Sequence, residues 1–389
     1  MSADTTMSTH TTMSSDTTTH DTVTVPGAAG GTVDAVDEAR LADAEERLVG
    51  IINDGALSLM ISVGHRAGLF DGLAELGTCD SATLSEHAGL TERYVTEWLG
   101  AMTVGRVVEH DPEAGTYRLP AEHAELLADV TGEGNLAAFA QYVPLLGAVE
   151  DEIIDRFRNG GGVDYAAYPR FQEVMEQDSA QTVLAALRDD ILSLVPGLTD
   201  RLERGIRVID VGCGRGRALN ALAGWFPNST FEGYELSEEA VAYARATAAQ
   251  RGLDNVTFHV QDAAQLRDVV EAGSVDLATT FDAVHDQADP LAVVGAIRHA
   301  LADDGVYLAQ DIDASSNHHG DLDHPLGPLL YTVSCLHCMT VSIARGGEGL
   351  GAMWGRERAQ DLFRRAGFAR IEIHTLEHDE QNAYYVCRP

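Results

Sequence analysis

The spacing of hydrophobic and polar positions changes part-way along the chain. Between residues 36 and 125, apolar residues recur every three to four positions, which predicts helices. Two short runs, Val107–Glu109 and Thr116–Leu119, flank a turn at 111–115 and predict a β-hairpin. Helices followed by such a hairpin indicate a winged-helix module over residues 36–125. Its predicted helices are 39–52, 56–67, 81–90 and 92–104.

From residue 201 onward, short β-branched runs alternate with helical stretches. This alternation predicts an α/β domain with a Rossmann-like sheet covered by helices on both faces. The last two runs have no helix between them, so we expect them to pair antiparallel and place one reversed strand in the sheet. The predicted strands are 207–210, 230–234, 256–260, 275–280, 305–310, 370–373 and 383–387.

Two further segments complete the predicted organisation. Residues 126–200 read as a helical connector, broken at Gly160–Gly162 and again at Pro169, with Tyr165, Tyr168 and Phe171 near the second break. The connector could form a wall of a substrate pocket. Residues 1–35 are rich in Thr, Ser and Asp and have little to bury, which predicts a disordered tail.

The net charge of the chain indicates which classes of partner it can bind. The 389 residues carry 26 Lys+Arg and 61 Asp+Glu, a net charge of −35, and all the basic residues are arginine. This composition is typical of proteins that work in concentrated salt, and it argues against a nucleic-acid backbone as partner. Five cysteines, no recognisable signal peptide and no apolar run of about 20 residues predict a cytoplasmic protein without a membrane span.

The most informative motif lies after the first strand of the α/β domain. Residues 208–216 read VIDVGCGRG, a strand that ends in a glycine-rich turn ahead of a helix. Glycine lets a ligand approach the backbone, and the helix N-terminus favours negative groups. Glu235, at the end of the next strand, could bind ribose hydroxyls. Asp262, after the third strand, could accept from an adenine amino group. The dinucleotide fingerprint would need glycine at position 217, where the chain has Arg217.

The chain resembles class I S-adenosylmethionine-dependent methyltransferases in three features. These are the G-x-G-x-G spacing of residues 212–216, Asp210 two positions before Gly212, and the reversed last strand. The resemblance covers residues 201–389. With the winged-helix module it extends to small-molecule methyltransferases that dimerise through such a domain. It implies S-adenosylmethionine as cofactor and a small molecule as methyl acceptor. The residues that it implies for cofactor binding are Asp210, Gly212 and Gly214 for the methionine part, Glu235 for ribose, Leu236, Asp262 and Ala263 for adenine, and Phe281 at the sulfonium end.

A hydroxyl acceptor can require a general base, and histidine suits that role near neutral pH. His285 follows the fourth strand and is the first candidate, with Asp286 or Asp289 as the group that orients its ring. His337, within the sequence Cys335-Leu336-His337-Cys338, is the second. The loop from His318 to His324 is rich in histidine and acid, but its spacing matches no known metal motif, so we expect no metal.

The winged-helix module leaves alternatives open. Residues 51–125 contain four arginines and twelve acids, which favours dimerisation over DNA binding. The main hypothesis is therefore a small-molecule methyltransferase that forms a homodimer through the winged-helix module. The alternatives are a cofactor-responsive transcriptional regulator and a non-catalytic cofactor-binding protein.

Overall fold

The computed structural model describes residues 36–130 and 135–389. The predicted tail, residues 1–35, lies outside the described residues. The chain divides into two compact units, residues 1–51 and 52–389. The boundaries predicted from the sequence, at 35, 125 and 200, stay predictions.

The N-terminal part is a helical domain with a small three-stranded sheet of order β1-β3-β2. Its first helix continues through Gly55, where the sequence predicted a break. One glycine costs a helix only about 1 kcal/mol, and Leu57, Met60 and Ile61 pack the following turns against the domain core. The elements are α1 (Glu38–Arg66), α2 (Leu69–Leu76), β1 (Thr78–Cys79), α3 (Ser81–Ala88), α4 (Glu92–Val104), β2 (Glu109–Asp111) and β3 (Thr116–Arg118).

A helical connector follows. The breaks predicted at the glycines and at Pro169 are confirmed, because one helix ends at Asn159 and the next begins at Phe171. The connector then forms wide π-helical turns at Ala180–Leu184 and Leu187–Ile191. Its α-helices are α5 (Ala121–Leu127), α6 (Leu136–Phe139), α7 (Tyr142–Gly147), α8 (Glu150–Asn159), α9 (Phe171–Ser179) and α10 (Leu198–Arg204).

The predicted α/β fold is confirmed as a seven-stranded sheet of order β6-β5-β4-β7-β8-β10-β9. Strands β4 to β8 are parallel, and β10 runs antiparallel to both its neighbours, β8 and β9. The predicted reversed strand is therefore β10. The strands are β4 (Arg207–Val211), β5 (Thr230–Glu235), β6 (Val256–Val260), β7 (Val275–Phe281), β8 (Leu301–Ile312), β9 (Arg370–Leu376) and β10 (Asp379–Arg388).

Two apolar layers hold the sheet. Alternate strand residues point to opposite faces, so Val208 joins one core while Ile209 joins the other. Helices α10, α11 and α12 cover the first face, and α13 and α16 cover the second. The helices of this domain are α11 (Arg217–Trp225), α12 (Glu238–Arg251), α13 (Pro290–Ala300), α14 (Gly327–Val333), α15 (Met339–Ala344) and α16 (Gly355–Arg365).

The strand order reverses between β4 and β7. Open α/β sheets bind ligands outside the carboxyl ends of their strands at such a reversal. The loops after β4, β5 and β7 therefore meet where a ligand is expected.

Among the residues that the structure describes, two helical segments have the length and mean hydropathy of a membrane span, contrary to the sequence expectation: Glu38–Arg66 and Gly327–Ala344. The second is α14 and α15 joined by a π-helical turn, Ser334–Cys338. It buries His337, Cys338 and Val341 inside the domain. Length and composition do not distinguish such a core helix from a membrane span.

Candidate active site

The glycine loop after β4 has the backbone conformation that its sequence predicts. Gly212, Gly214 and Gly216 have φ values of +75°, +51° and +69°, which disfavour residues with a Cβ. A Cβ on Gly212 would lie 2.6 Å from that of Ala283, so the loop also packs directly against the segment after β7. A Cβ on Gly214 would meet only Gln172 Oε1, at 4.0 Å. The backbone at Gly214 therefore offers an open face to a ligand.

Glu235 closes the same loop from the end of β5. Its Oε2 accepts from the Gly214 N–H at 3.1 Å, and its Oε1 accepts from the N–H groups of Leu236 and Ser237 at 2.8 Å. Burial raises the pKa of Glu235, and these three N–H groups lower it. The three N–H groups use three of the four lone pairs of the carboxylate, so Oε2 keeps one that can accept from a hydroxyl. A carboxylate held in this way suits a ribose.

Asp210, at the end of β4, is buried beside the loop. Its Oδ1 accepts from the Thr279 hydroxyl at 2.7 Å, and burial raises the pKa of Asp210 to about 7. The bond to Thr279 fixes the carboxylate between the two central strands. A cationic amino group would relieve the cost of that burial.

The other predicted cofactor residues lie at the neighbouring strand ends. Leu236 is exposed directly after Glu235. Asp262 caps a short 3₁₀ helix through Ala264 N–H, at 2.9 Å, and Ala263 is buried. The segment is tied to β5 because Gln261 N–H donates to Glu235 O at 2.9 Å. Phe281 ends β7 and is partly buried. The structure therefore brings together the residue set that the sequence predicted at one edge of the sheet, although the role of each stays a prediction.

A buried histidine–carboxylate pair lies next to the glycine loop. His285, on the segment that contacts Gly212, donates its Nδ1–H to Asp311 Oδ1 at 2.8 Å. Asp311 Oδ1 also accepts from Trp354 Nε1 at 3.0 Å and from Ile312 N–H at 2.9 Å. His285 is 3% exposed and Asp311 1%. The pair is thus held rigidly and kept from water.

The sequence-based assignment of the orienting acid was wrong. Asp286 accepts instead from the Tyr165 hydroxyl, and Asp289 caps α13 through Ala292 N–H at 2.8 Å. The orienting acid is Asp311, 26 positions after the histidine, because β8 lies beside β7 in the sheet. Its place at the end of a buried strand was the signal that could have identified it.

Further acids surround this pair. Asp282 Oδ1 lies 3.6 Å from His285 Nδ1, and burial raises the pKa of Asp282 to about 7. Ligand atoms of Asp282, His285 and Asp311 lie within 4.8 Å of one another, a set that could hold a divalent cation. The expectation of no metal therefore stays a prediction.

His337, the second candidate base, lies among the aromatic residues of the connector. Its ring stacks on Phe171 at 4.1 Å and meets the edges of Tyr165 and Tyr168 at 5.2 and 4.7 Å. Burial, with the neighbouring His285, lowers the pKa of His337 to about 3. Its imidazole is therefore neutral and a weak base.

The histidine-rich loop after β8 is held by its own contacts. Asp321 accepts from Ser315 N–H at 2.7 Å and from the Tyr331 hydroxyl at 2.8 Å. His324 Nε2 donates to Asp313 O at 2.9 Å. These bonds give the two side chains a structural role.

Comparison with known families supports this geometry. Residues 202–367 match the family model described as a methyltransferase domain, and residues 55–129 match the Rv2258c-like winged HTH domain. The resemblance to a methyltransferase domain that we inferred from the sequence is confirmed over these residues.

Sequence relatives cover parts of the chain. Nocamycin O-methyltransferase of Saccharothrix syringae is 34% identical over 183 residues, which are 45% of this chain and 62% of the relative. Malonyl-[acyl-carrier protein] O-methyltransferase of Bacillus cereus is 26% identical over 119 residues, 31% of this chain and 38% of that protein. The chain thus matches less than two thirds of the length of either relative.

Solved structures share the fold over most of the chain. Mitomycin 7-O-methyltransferase is 17% identical with a TM-score of 0.64, covering 91% of this chain and 100% of that one. Human N-acetylserotonin methyltransferase, solved with S-adenosylmethionine, is 17% identical with a TM-score of 0.62, covering 92% and 99%. The methyltransferase domain and the helical domain before it therefore occur together in known folds.

We expect Glu235→Ala to weaken S-adenosylmethionine binding by the methyltransferase domain about 100-fold, because it removes the hydroxyl acceptor and releases Gly214 N–H. Isothermal titration calorimetry measures the loss. Glu238→Gln, which alters an exposed acid three residues later, should bind like the parent. Equal affinity of the Glu235→Ala variant and the parent would contradict the assignment.

Proposed function

We propose that the protein transfers a methyl group from S-adenosylmethionine to a hydroxyl group of a small molecule. The observation that carries this proposal is the buried His285–Asp311 pair, on a segment in contact with the glycine loop. The two sequence relatives are O-methyltransferases, which also favours oxygen as the acceptor atom.

The geometry assigns each residue of the pair a part in the chemistry. When bound, S-adenosylmethionine supplies an electrophilic methyl group. His285 donates its Nδ1–H to Asp311, so Nε2 is the atom that can take the proton from an acceptor hydroxyl. Asp311 orients the ring and stabilises the imidazolium that results. Low exposure of both side chains excludes water from the site.

The charge state of His285 sets the pH dependence. Burial alone would lower the pKa of His285, but the Asp311 carboxylate and the Cys338 side chain raise it well above its ordinary value. The free enzyme therefore holds a protonated imidazole near neutral pH. A protonated base accepts no proton, so activity increases as the pH rises through that pKa.

We assign the aromatic cluster of Tyr165, Tyr168, Phe171 and His337 to the wall of the acceptor pocket. His337 is a poor proton acceptor, given its low pKa, so His285 is the favoured base. His337 Nε2 has no hydrogen-bond partner within the described residues. A polar group on the acceptor could satisfy it, and His337 then contributes to recognition.

The regulator alternative is disfavoured by the surface of the winged-helix domain. Arg93, on the candidate recognition helix α4, pairs with Glu97, and Arg118 on the wing pairs with Glu109. Pairing with acids neutralises the cations that phosphate contacts require. If the protein only bound the cofactor and catalysed no reaction, the buried His285–Asp311 pair would have no function.

We also propose that the protein works inside the cell at high salt. The net charge of −35, carried without lysine, and five free cysteines support this.

The last proposal concerns assembly: we propose that α1 joins two copies of the chain. From residue 52 onward, one face of the helix packs Leu57, Met60 and Ile61 into the domain core. Another face exposes Ile52, Leu59 and Val63, at 71%, 44% and 44%. Spacings of seven and four residues place these three on one stripe. In the preceding turns Leu41 and Leu48 are exposed as well. A second copy of this helix would supply a matching stripe.

We expect His285→Ala to lower kcat at least 100-fold, because the acceptor hydroxyl loses its base, while the Kd for S-adenosylmethionine changes less than threefold. The measurement is product mass increased by one methyl group, across a panel of simple phenols and hydroxy acids. His299→Ala, an exposed histidine on α13, serves as the control. If His285→Ala turns over like the parent, His285 is not the base.

We expect kcat/KM of the parent to rise with pH through an apparent pKa above 6.5. In Asp311→Asn the midpoint should move to lower pH, because the negative partner that raises the imidazole pKa is gone, and the plateau should fall about tenfold. Asp313→Asn, two residues along the same chain segment, should keep the parent's midpoint. If the midpoint of Asp311→Asn is the same as that of the parent, the rise of kcat/KM with pH does not report the titration of His285.

We expect Ile52→Glu to convert a dimer into a monomer in analytical ultracentrifugation, because it buries a charge in the proposed contact. Asn53→Glu makes the same charge change at an exposed position beside the stripe and should leave the dimer intact. A monomeric parent, or a dimeric Ile52→Glu, would exclude α1 as the interface.

A further inference from the structure

Helix α9 of the connector lies over both halves of the site. Its first residue, Phe171, stacks on His337 of the acceptor wall at 4.1 Å. The next residue, Gln172, brings its Oε1 to 4.0 Å from the position of a Cβ on Gly214. Any ligand on the open face of Gly214 therefore lies close to α9.

One carboxylate on α9 holds three side chains of the methyltransferase domain. Glu176 Oε2 accepts from Arg215 Nη1 at 2.9 Å, and its Oε1 accepts from the Tyr243 hydroxyl at 3.1 Å. Arg217 Nε lies 3.6 Å from Glu176 Oε1, and its Nη1 donates to Glu176 O at 3.2 Å. The Glu176 side chain is only 13% exposed, so solvent screens these interactions weakly.

Arg215 belongs to the glycine loop itself, between Gly214 and Gly216. Its guanidinium also donates to Glu239 on α12 at 2.6 Å and lies 4.5 Å from the centre of the Tyr243 ring. The Glu239 contact stays within the methyltransferase domain, whereas the Glu176 contact ties the loop to α9. For α9 to leave the loop, the Glu176–Arg215 contact must break together with the contacts that Tyr243 and Arg217 make to Glu176, whereas the Glu239 contact can stay.

The backbone on each side of α9 departs from regular helix. Arg170, directly before it, has φ of +61°, an uncommon value for a residue with a side chain. Directly after it comes the π-helical turn Ala180–Leu184. Turns of this kind interrupt the regular hydrogen-bond ladder and are frequent at functional sites. Helix α9 is therefore flanked on both sides by irregular backbone.

We propose that Glu176 is a positioning residue that holds α9 closed over the glycine loop and so controls how fast the cofactor exchanges. The Glu176–Arg215 ion pair acts as a latch, and opening it uncovers the loop. This proposal rests on S-adenosylmethionine binding at Gly214, which is part of the proposed function. Loss of this ion pair should raise both the association and the dissociation rate constants, because the cofactor enters and leaves through the same opening.

The experiment follows release of tritiated S-adenosylmethionine from the full chain, chased with excess unlabelled S-adenosylhomocysteine. We expect Glu176→Gln to release the cofactor about tenfold faster than the parent, the effect of losing one partly buried charged hydrogen bond. The association rate constant should rise as well, so that the Kd changes less than either rate. Glu239→Gln, which removes the exposed partner of Arg215, should stay within about twofold of the parent.

Two results would overturn the latch. In the first, Glu176→Gln exchanges cofactor at the parent's rate. In the second, dissociation accelerates while association slows, the pattern of a distorted site. A double variant adds an independent check, because Glu176→Gln should accelerate release much less in the Arg215→Gln background, where only its contacts with Tyr243 and Arg217 are left to lose. A parent that binds no S-adenosylmethionine would instead refute the proposed function and the latch with it, and the other results leave that function standing.

Discussion

The hydrogen bond between His285 and Asp311 is the interaction on which the proposed chemistry of this protein depends. Burying a carboxylate is costly, and this edge of the sheet buries Asp210 and Asp311 and half-buries Asp282. The imidazole partly compensates that charge, and in return the carboxylate gives it a fixed orientation and a raised pKa. Sheet topology makes the contact possible, since β7 and β8 are neighbours whose carboxyl ends coincide.

The side of the site that we propose for the cofactor follows a different principle. There the proposed contact surface is the backbone of the glycine loop, and side chains hold that backbone in place. Glu235 receives the N–H of Gly214, and Arg215 anchors the loop to the elements around it. Because the loop is bare at Gly214, its shielding must come from another part of the chain, and α9 supplies it. Helix α9 thus contributes Phe171 to the proposed acceptor wall and Glu176 to the contact with the glycine loop.

Several features could be predicted because they depend on local sequence. The glycine loop requires positive φ, so its position and conformation follow from residues 212–216. The strands were recognisable from short β-branched runs, and the reversed strand β10 from the lack of a helix before it.

Other features depend on residues that are distant in the sequence. The choice of Asp311 over Asp286, the continuity of α1 through Gly55 and the contacts of Glu176 all follow from packing between segments far apart in the chain.

By itself the sequence determined the fold class, the cofactor loop with its acid at Glu235, and the two histidines worth considering. These are properties of spacing along one chain segment, which periodicity and glycine placement specify directly. Only the tertiary structure decided which acid orients His285, why His337 stays neutral and which helix covers the loop. The pKa of a side chain depends on its burial, and its hydrogen-bond partner depends on which groups lie near it. Both are decided by elements that meet in space although they are separated by tens of residues in the sequence.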